Sequence, residues 1–97
     1  MKLVPVIIAG VLAFLPTIAC ALEGYGEVVL DNKTANTLDL YVDDVYACRA
    51  LGGGICPTQV RIGPHRLVAK RIADGATMVQ QTTVEQGVVS TFTITDQ

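Results

Sequence analysis

The sequence has no tryptophan, one histidine, one serine and few aromatic residues, and acidic residues outnumber basic ones for a net charge of −2. Each scarcity narrows the function. Without tryptophan, and with three tyrosines and one phenylalanine beyond the leader, there is little from which to build a sugar-stacking platform. One histidine, His65, cannot make a histidine-rich metal site. A nucleophilic triad would have to join His65 to Ser90, and no Gly-x-Ser-x-Gly elbow surrounds that serine. The missing basic surplus argues against nucleic acid as a partner. No window after residue 22 repeats with a helical period.

What is abundant comes first in the chain. Leu3 to Leu22 carries no charge, follows Lys2 and the amino terminus, and ends in Ala19-Cys20-Ala21. A positive start, an apolar stretch and small residues at the first and third positions before a cut are the parts of a secretory signal peptide. Residues 1–21 are therefore expected to form a signal helix that is removed. A membrane anchor is the competing reading, but Pro5, Gly10 and Pro16 interrupt the run. A bacterial lipoprotein acylated at Cys20 is a second competitor; it has Thr17 where a leucine is usual. Removing residues 1–21 from the 97 leaves 76, exported to the periplasm or outside the cell, with no stable membrane span.

Residues 22–97 read as one all-β domain, a small antiparallel β-sandwich of about six to seven short strands. Strands are expected over Leu22–Leu30, Leu38–Val42, Val45–Ala50, Thr58–Ile62, His65–Ile72, Thr77–Val84 and Val88–Thr95. The turns between them are DNKTANT, Asp43-Asp44, the Leu51–Gly54 stretch, Gly63-Pro64, Asp74-Gly75 and Glu85-Gln86-Gly87. Alternation puts Leu38, Leu40, Val42, Val60 and Ile62 inward, and Ser90, Phe92 and Ile94 on one face.

Cys48 and Cys56 flank Arg-Ala-Leu-Gly-Gly-Gly-Ile, and they are the only cysteines beyond the leader. An even count in an exported chain reads as one disulfide, and a core of this size needs such a staple. The spacing is not C-x-x-C, so the pair is structural rather than redox-active.

The order of turns resembles the PEGA domain, a small extracytoplasmic β module of bacterial envelope proteins. Leu40-Tyr41-Val42-Asp43-Asp44, the Pro57–Val60 strand, Gly63-Pro64-His65-Arg66-Leu67-Val68-Ala69 and Thr83-Val84-Glu85-Gln86-Gly87 with Phe92 and Ile94 carry the likeness, which spans Gly26 to Thr95. Asp44 stands where the family has a turn glycine, Gly63-Pro64 inverts the usual order, and the glycine loop with its cysteines is an addition. The resemblance implies an interaction or structural role and brings no catalytic residues.

Few side chains suggest chemistry. His65 is in phase with Leu67 and Ala69, as a strand-start histidine bonded to a turn carbonyl would be. Asp39, Asp43 and Asp44 form a solvated acidic face without the loop pattern of a calcium site. Asn32-Lys33-Thr34 fits the N-glycosylation pattern. Arg61, Arg66 and Lys70 are expected to form a basic stripe across two neighbouring strands, open to an acidic partner or an anionic envelope polymer. The expected function is an exported, non-catalytic envelope-associated binding or structural module, without cofactor or metal, whose partner is an envelope protein or polymer. The alternative is a small secreted inhibitor or effector acting through the Arg49–Ile55 loop.

Overall fold

The computed structural model describes Leu3–Gly10 as a strand and residues 23–96 with their side chains. In chain order the strands are β1 (Leu3–Gly10), β2 (Tyr25–Lys33), β3 (Leu38–Val42), β4 (Val45–Ala50), β5 (Ile55–Arg61), β6 (Gly63–Arg71), β7 (Thr77–Val84) and β8 (Val89–Asp96). They form two sheets, ordered β1-β8-β2-β5 and β4-β3-β6-β7. The domain is all-β. Of the expected leader, Leu3–Gly10 is extended along β8, and the rest lies outside the described residues.

Local chemistry explains the hairpins that do form. Asp43 and Asp44 both have positive φ, 50° and 69°, the two-residue turn whose twist matches that of its flanking strands. Aspartate tolerates this region better than most residues. After β6, the Asp74 carboxylate accepts the Ala76 N–H at 3.0 Å and turns the chain into β7.

Between the sheets lies a core of Val28, Leu30, Leu38, Leu40, Ala50, Cys56, Val60, Leu67, Ala69, Val84, Phe92 and Ile94. Phe92 and Leu30 face each other in the β2–β8 register, and both are fully buried. Burying side chains of this size is worth about 1.5–3 kcal/mol each. Gly26 is required by close approach: a Cβ there would collide with the Glu85 carbonyl and the Val84 side chain.

Not every connection is a hairpin within one sheet. β7 and β8 belong to different sheets, so Glu85-Gln86-Gly87 is an arch between layers and not a closing hairpin. The chain likewise crosses from the β5 sheet into the other one at Ile62, and Gly63-Pro64, expected as the turn, already pairs with Val84 and Thr83 in β6. As a result β8 lies parallel to β2, the one parallel pair among the six. Alternation reports which face of a strand is buried, and a hairpin and an arch give the same alternation. Ile62, expected inward, is 50% exposed because β5 ends one residue earlier.

Cys48 on β4 and Cys56 on β5 are joined, with their Cα atoms 6.0 Å apart. The expected bridge is present, and its placement adds something: β4 and β5 are edge strands of opposite sheets. The bond therefore clamps the two layers together along one side of the sandwich.

Beside the clamp sits Asn32, fully buried at the end of β2. Its Nδ2 donates toward the carbonyls of Asn36 (2.6 Å), Ala50 (3.1 Å) and Leu51 (3.0 Å). Its Oδ1 accepts from the Thr34 N–H (3.0 Å) and the Thr34 hydroxyl (2.7 Å). In the folded domain the nitrogen that would carry a glycan is enclosed, so the acceptor pattern at Asn32 serves the fold.

Candidate interaction face

The outer face of the β4-β3-β6-β7 sheet carries the site best supported by geometry. The two-residue turn sets Tyr41 opposite Tyr46, and the β3–β6 and β6–β7 registers continue that row through Val68 to Val79. The tyrosine rings meet edge to face, 5.7 Å between centroids at 74°. Tyr46 is 52% exposed and Val79 44%, so the row is an apolar stripe open to solvent.

Charge borders the stripe on both sides. On one side Arg49 pairs with Asp39 through Nε–Oδ1 at 2.8 Å and a guanidinium NH2–Oδ2 contact at 3.2 Å, and the next position in that row is Lys70. On the other side Arg66 reaches Asp44 at 2.8 Å. Tyr41, Asp44, Arg66, Val68, Lys70, Thr77 and Val79 enclose a shallow concavity of about 360 Å³. Its apolar floor thus lies between Lys70 and the Arg66–Asp44 pair.

The expected stripe of Arg61, Arg66 and Lys70 is therefore divided. Arg66 and Lys70 both project from this face of β6. Arg61 does not join them, because β5 lies in the opposite sheet. Its guanidinium instead sits 5.4 Å from the Tyr25 ring centroid, a cation–π contact. Of the expected solvated acidic face, Asp43 and Asp44 are exposed, whereas Asp39 is only 6% exposed and held by Arg49. Asp43 is also tied to β6.

That tie involves His65. The Asp43 carboxylate accepts the Arg66 backbone N–H at 2.9 Å and lies 2.5 Å from His65 Nδ1. His65 Nε2 donates to the Arg61 carbonyl at 2.7 Å. The histidine thus has the turn-carbonyl partner that its position implied, and it also links the β3–β4 turn to the start of β6. The Arg66 N–H, then the His65 contact, hold the Asp43 carboxyl below its ordinary value. Ser90, the only serine, is buried on β8 and away from this cluster. Among the described residues no group of three His, Cys, Asp or Glu side chains could hold a metal ion. Nor is any helix among them long and apolar enough to cross a membrane.

Sequence reasoning missed the Tyr46–Tyr41–Val68–Val79 row. Half of it was accessible: a two-residue turn at Asp43-Asp44 pairs Val42 with Val45 and Tyr41 with Tyr46. The other half depends on β6 sitting beside β3, a long-range choice with no local signal.

At the far end of the same sheet, Asp74 receives Arg71 Nε at 2.8 Å and an Arg71 NH2 at 2.6 Å, besides the Ala76 N–H. Arg71 is the main cause that lowers the Asp74 carboxyl to about 2. A carboxyl depressed in the folded state is deprotonated there while the unfolded chain already binds a proton. Its contribution is full above about pH 4 and is lost as pH falls toward 2. Asp74→Asn is expected to lower the urea midpoint at pH 7 and to differ little from the parent at pH 2. An equal deficit at both pH values would contradict this.

No family model, no curated protein and no solved structure matches the chain.

Proposed function

We propose that the chain is an exported, non-catalytic envelope-associated binding module, similar in role to PEGA domains, and that it binds through the outer face of β3, β4, β6 and β7. The observation that carries this is the exposed Tyr46–Tyr41–Val68–Val79 row bordered by Arg66 and Lys70. The partner is an envelope protein or polymer with anionic groups beside apolar surface. Both His65 ring nitrogens are taken up by structural contacts, with Asp43 and the Arg61 carbonyl, which supports binding over catalysis. Reading residues 1–21 as a leader supplies the address.

Arg66→Glu/Lys70→Glu tests the site. Charges at the rim of an interface act chiefly on association rate and salt dependence. Retention on isolated cell envelope is expected to weaken at least tenfold and to lose its sensitivity to salt. Equal retention of parent and variant overturns the assignment of this face.

A second reading has its own observation. Leu51 and Ile55, 66% and 60% exposed, flank a loop whose backbone is firmly held. Gly53 N–H bonds Thr34 O at 3.0 Å, Gly54 N–H bonds Leu51 O at 2.8 Å, and Asn32 N–H bonds Gly54 O at 3.0 Å. Two apolar side chains on a cross-linked loop are what an inhibitor presents to its target. If this reading holds, deleting the glycines abolishes inhibition while circular dichroism of the sandwich is retained.

A further inference from the structure

The edges of the two sheets are not alike. β5 carries Pro57, which has no N–H to offer, and β4 is kinked by a register shift and clamped to β5. β7 has an outer edge with no described strand along it. β8 is a third case. Its residues, Val-Ser-Thr-Phe-Thr-Ile-Thr-Asp, include no proline, glycine or lysine and no charge before Asp96. Such a strand is rich in the residues that favour pairing and has none of the usual guards. With Leu3–Gly10 attached, the edge is covered along the whole length of β8. Leu3–Gly10 runs antiparallel to it from Leu3 opposite Asp96 to Gly10 opposite Val89, in unbroken register.

That covering segment is uncharged and apolar, and it lies within the part of the chain that export would remove. Removal uncovers eight consecutive residues of β8 next to a buried core that includes Phe92 and Ile94. An edge of this kind acquires another strand. We propose that the outer edge of β8 is a strand-accepting site. Leu3–Gly10 occupies it while the leader is attached. After cleavage it takes an extended, uncharged, apolar segment of a partner, antiparallel to β8. The inference rests on the reading of residues 1–21 as a removable leader. The charge-free character of the segment seated there selects this occupant over an acidic or basic peptide.

The test uses the full chain with a site-specific protease sequence inserted between Pro16 and Thr17, cut after folding under oxidising conditions. The freed amino-terminal piece is expected to stay bound at micromolar concentration in native mass spectrometry. An excess of a peptide of residues 3–10 with lysine tails should exchange with it, and the same peptide with Ile7→Asp should bind at least tenfold more weakly. Once the piece is washed away, amide exchange in β8 should accelerate at least tenfold, with little change in β3 and β6. Departure of the piece with unchanged β8 exchange overturns the proposal. So does self-association of the cut domain that the peptide does not reverse, since the occupant would then be a second copy. Intact mass from a secreting host separates the two premises. A chain starting at Met1 overturns the exchange of occupants and the leader reading, while the β8 exchange data still judge the pairing itself.

Discussion

Asn32→Asp is expected to leave the domain largely unfolded at neutral pH, the largest effect of any single substitution considered. The side chain is fully buried, and its amide nitrogen serves three backbone carbonyls that have come together from two loops. Aspartate keeps the shape and removes both donor hydrogens. The Asn36, Ala50 and Leu51 carbonyls would then face an anion on a side chain that is itself fully buried. Losing a hydrogen-bond partner from a buried group costs about 1–3 kcal/mol, and burying an unpaired charge costs more. A domain of this size is stable by roughly 5 kcal/mol, so the sum approaches the whole. Asn32→Ala, which leaves carbonyls unpaired but introduces no charge, should cost about 3 kcal/mol and remain foldable. The aspartate variant has a diagnostic pH response. Its carboxylate is buried against carbonyl oxygens that cannot donate to it, so its folded-state pKa is raised and stability is regained as pH falls. The parent moves in the opposite direction, because Asp43 and Asp74 are both held below their ordinary values. Urea titrations at pH 7 and pH 4 decide it. A variant of near-parental stability at pH 7 would show that the Asn32 network is not structural.

How much of this could be read in the chain depended on the range of the interaction. β3, β4 and β7 are found at the residues that alternation and turn chemistry assign them, because Asp43-Asp44 and the polar flanks act within a few positions. The Cys48–Cys56 bond was legible from the parity of the cysteines. Its role as a clamp between sheets was not, since that follows from β5 crossing to β2. Asn32 shows the limit most clearly. Its short pattern with Thr34 invites a surface reading, yet what fixes its role is the return of the chain eighteen residues later, at Ala50. Arg61 fails for the same reason in reverse: it is near Arg66 in sequence, and the arch after β5 puts it on the other layer. The candidate face was half legible, Arg66 and Lys70 by alternation on one strand, and the tyrosine–valine row only after strand order was known.

The second large effect concerns the clamp. Reduction of Cys48–Cys56, or Cys48→Ala/Cys56→Ala, is expected to lower the melting temperature by about 15 °C. The cross-link closes a short loop, the two cysteines being eight positions apart. On the chain-entropy account a loop of about nine residues is worth roughly 2.5 kcal/mol, and a domain of this size converts that into about 15 °C. The paired layers make the loss larger in one region than in others. β4 and β5 have no ladder hydrogen bonds to each other, so without the bond their side of the sandwich is held by packing and by the Asn32 bonds to the Ala50 and Leu51 carbonyls. Local opening should therefore begin there, with amides of β4 and β5 exchanging faster than those of β3 and β6. Cys56 is buried and Cys48 only partly so, which separates two substitutions. Cys56→Ser places a hydroxyl in the core without a partner and should melt below Cys48→Ser, although each removes the same bond. Thermal melts of the oxidised, reduced and two serine forms make the comparison. If the reduced protein melts within about 3 °C of the oxidised one, the bond does not clamp the sheets. If the serine variants melt together, the asymmetry in burial is not felt at this end of the sandwich.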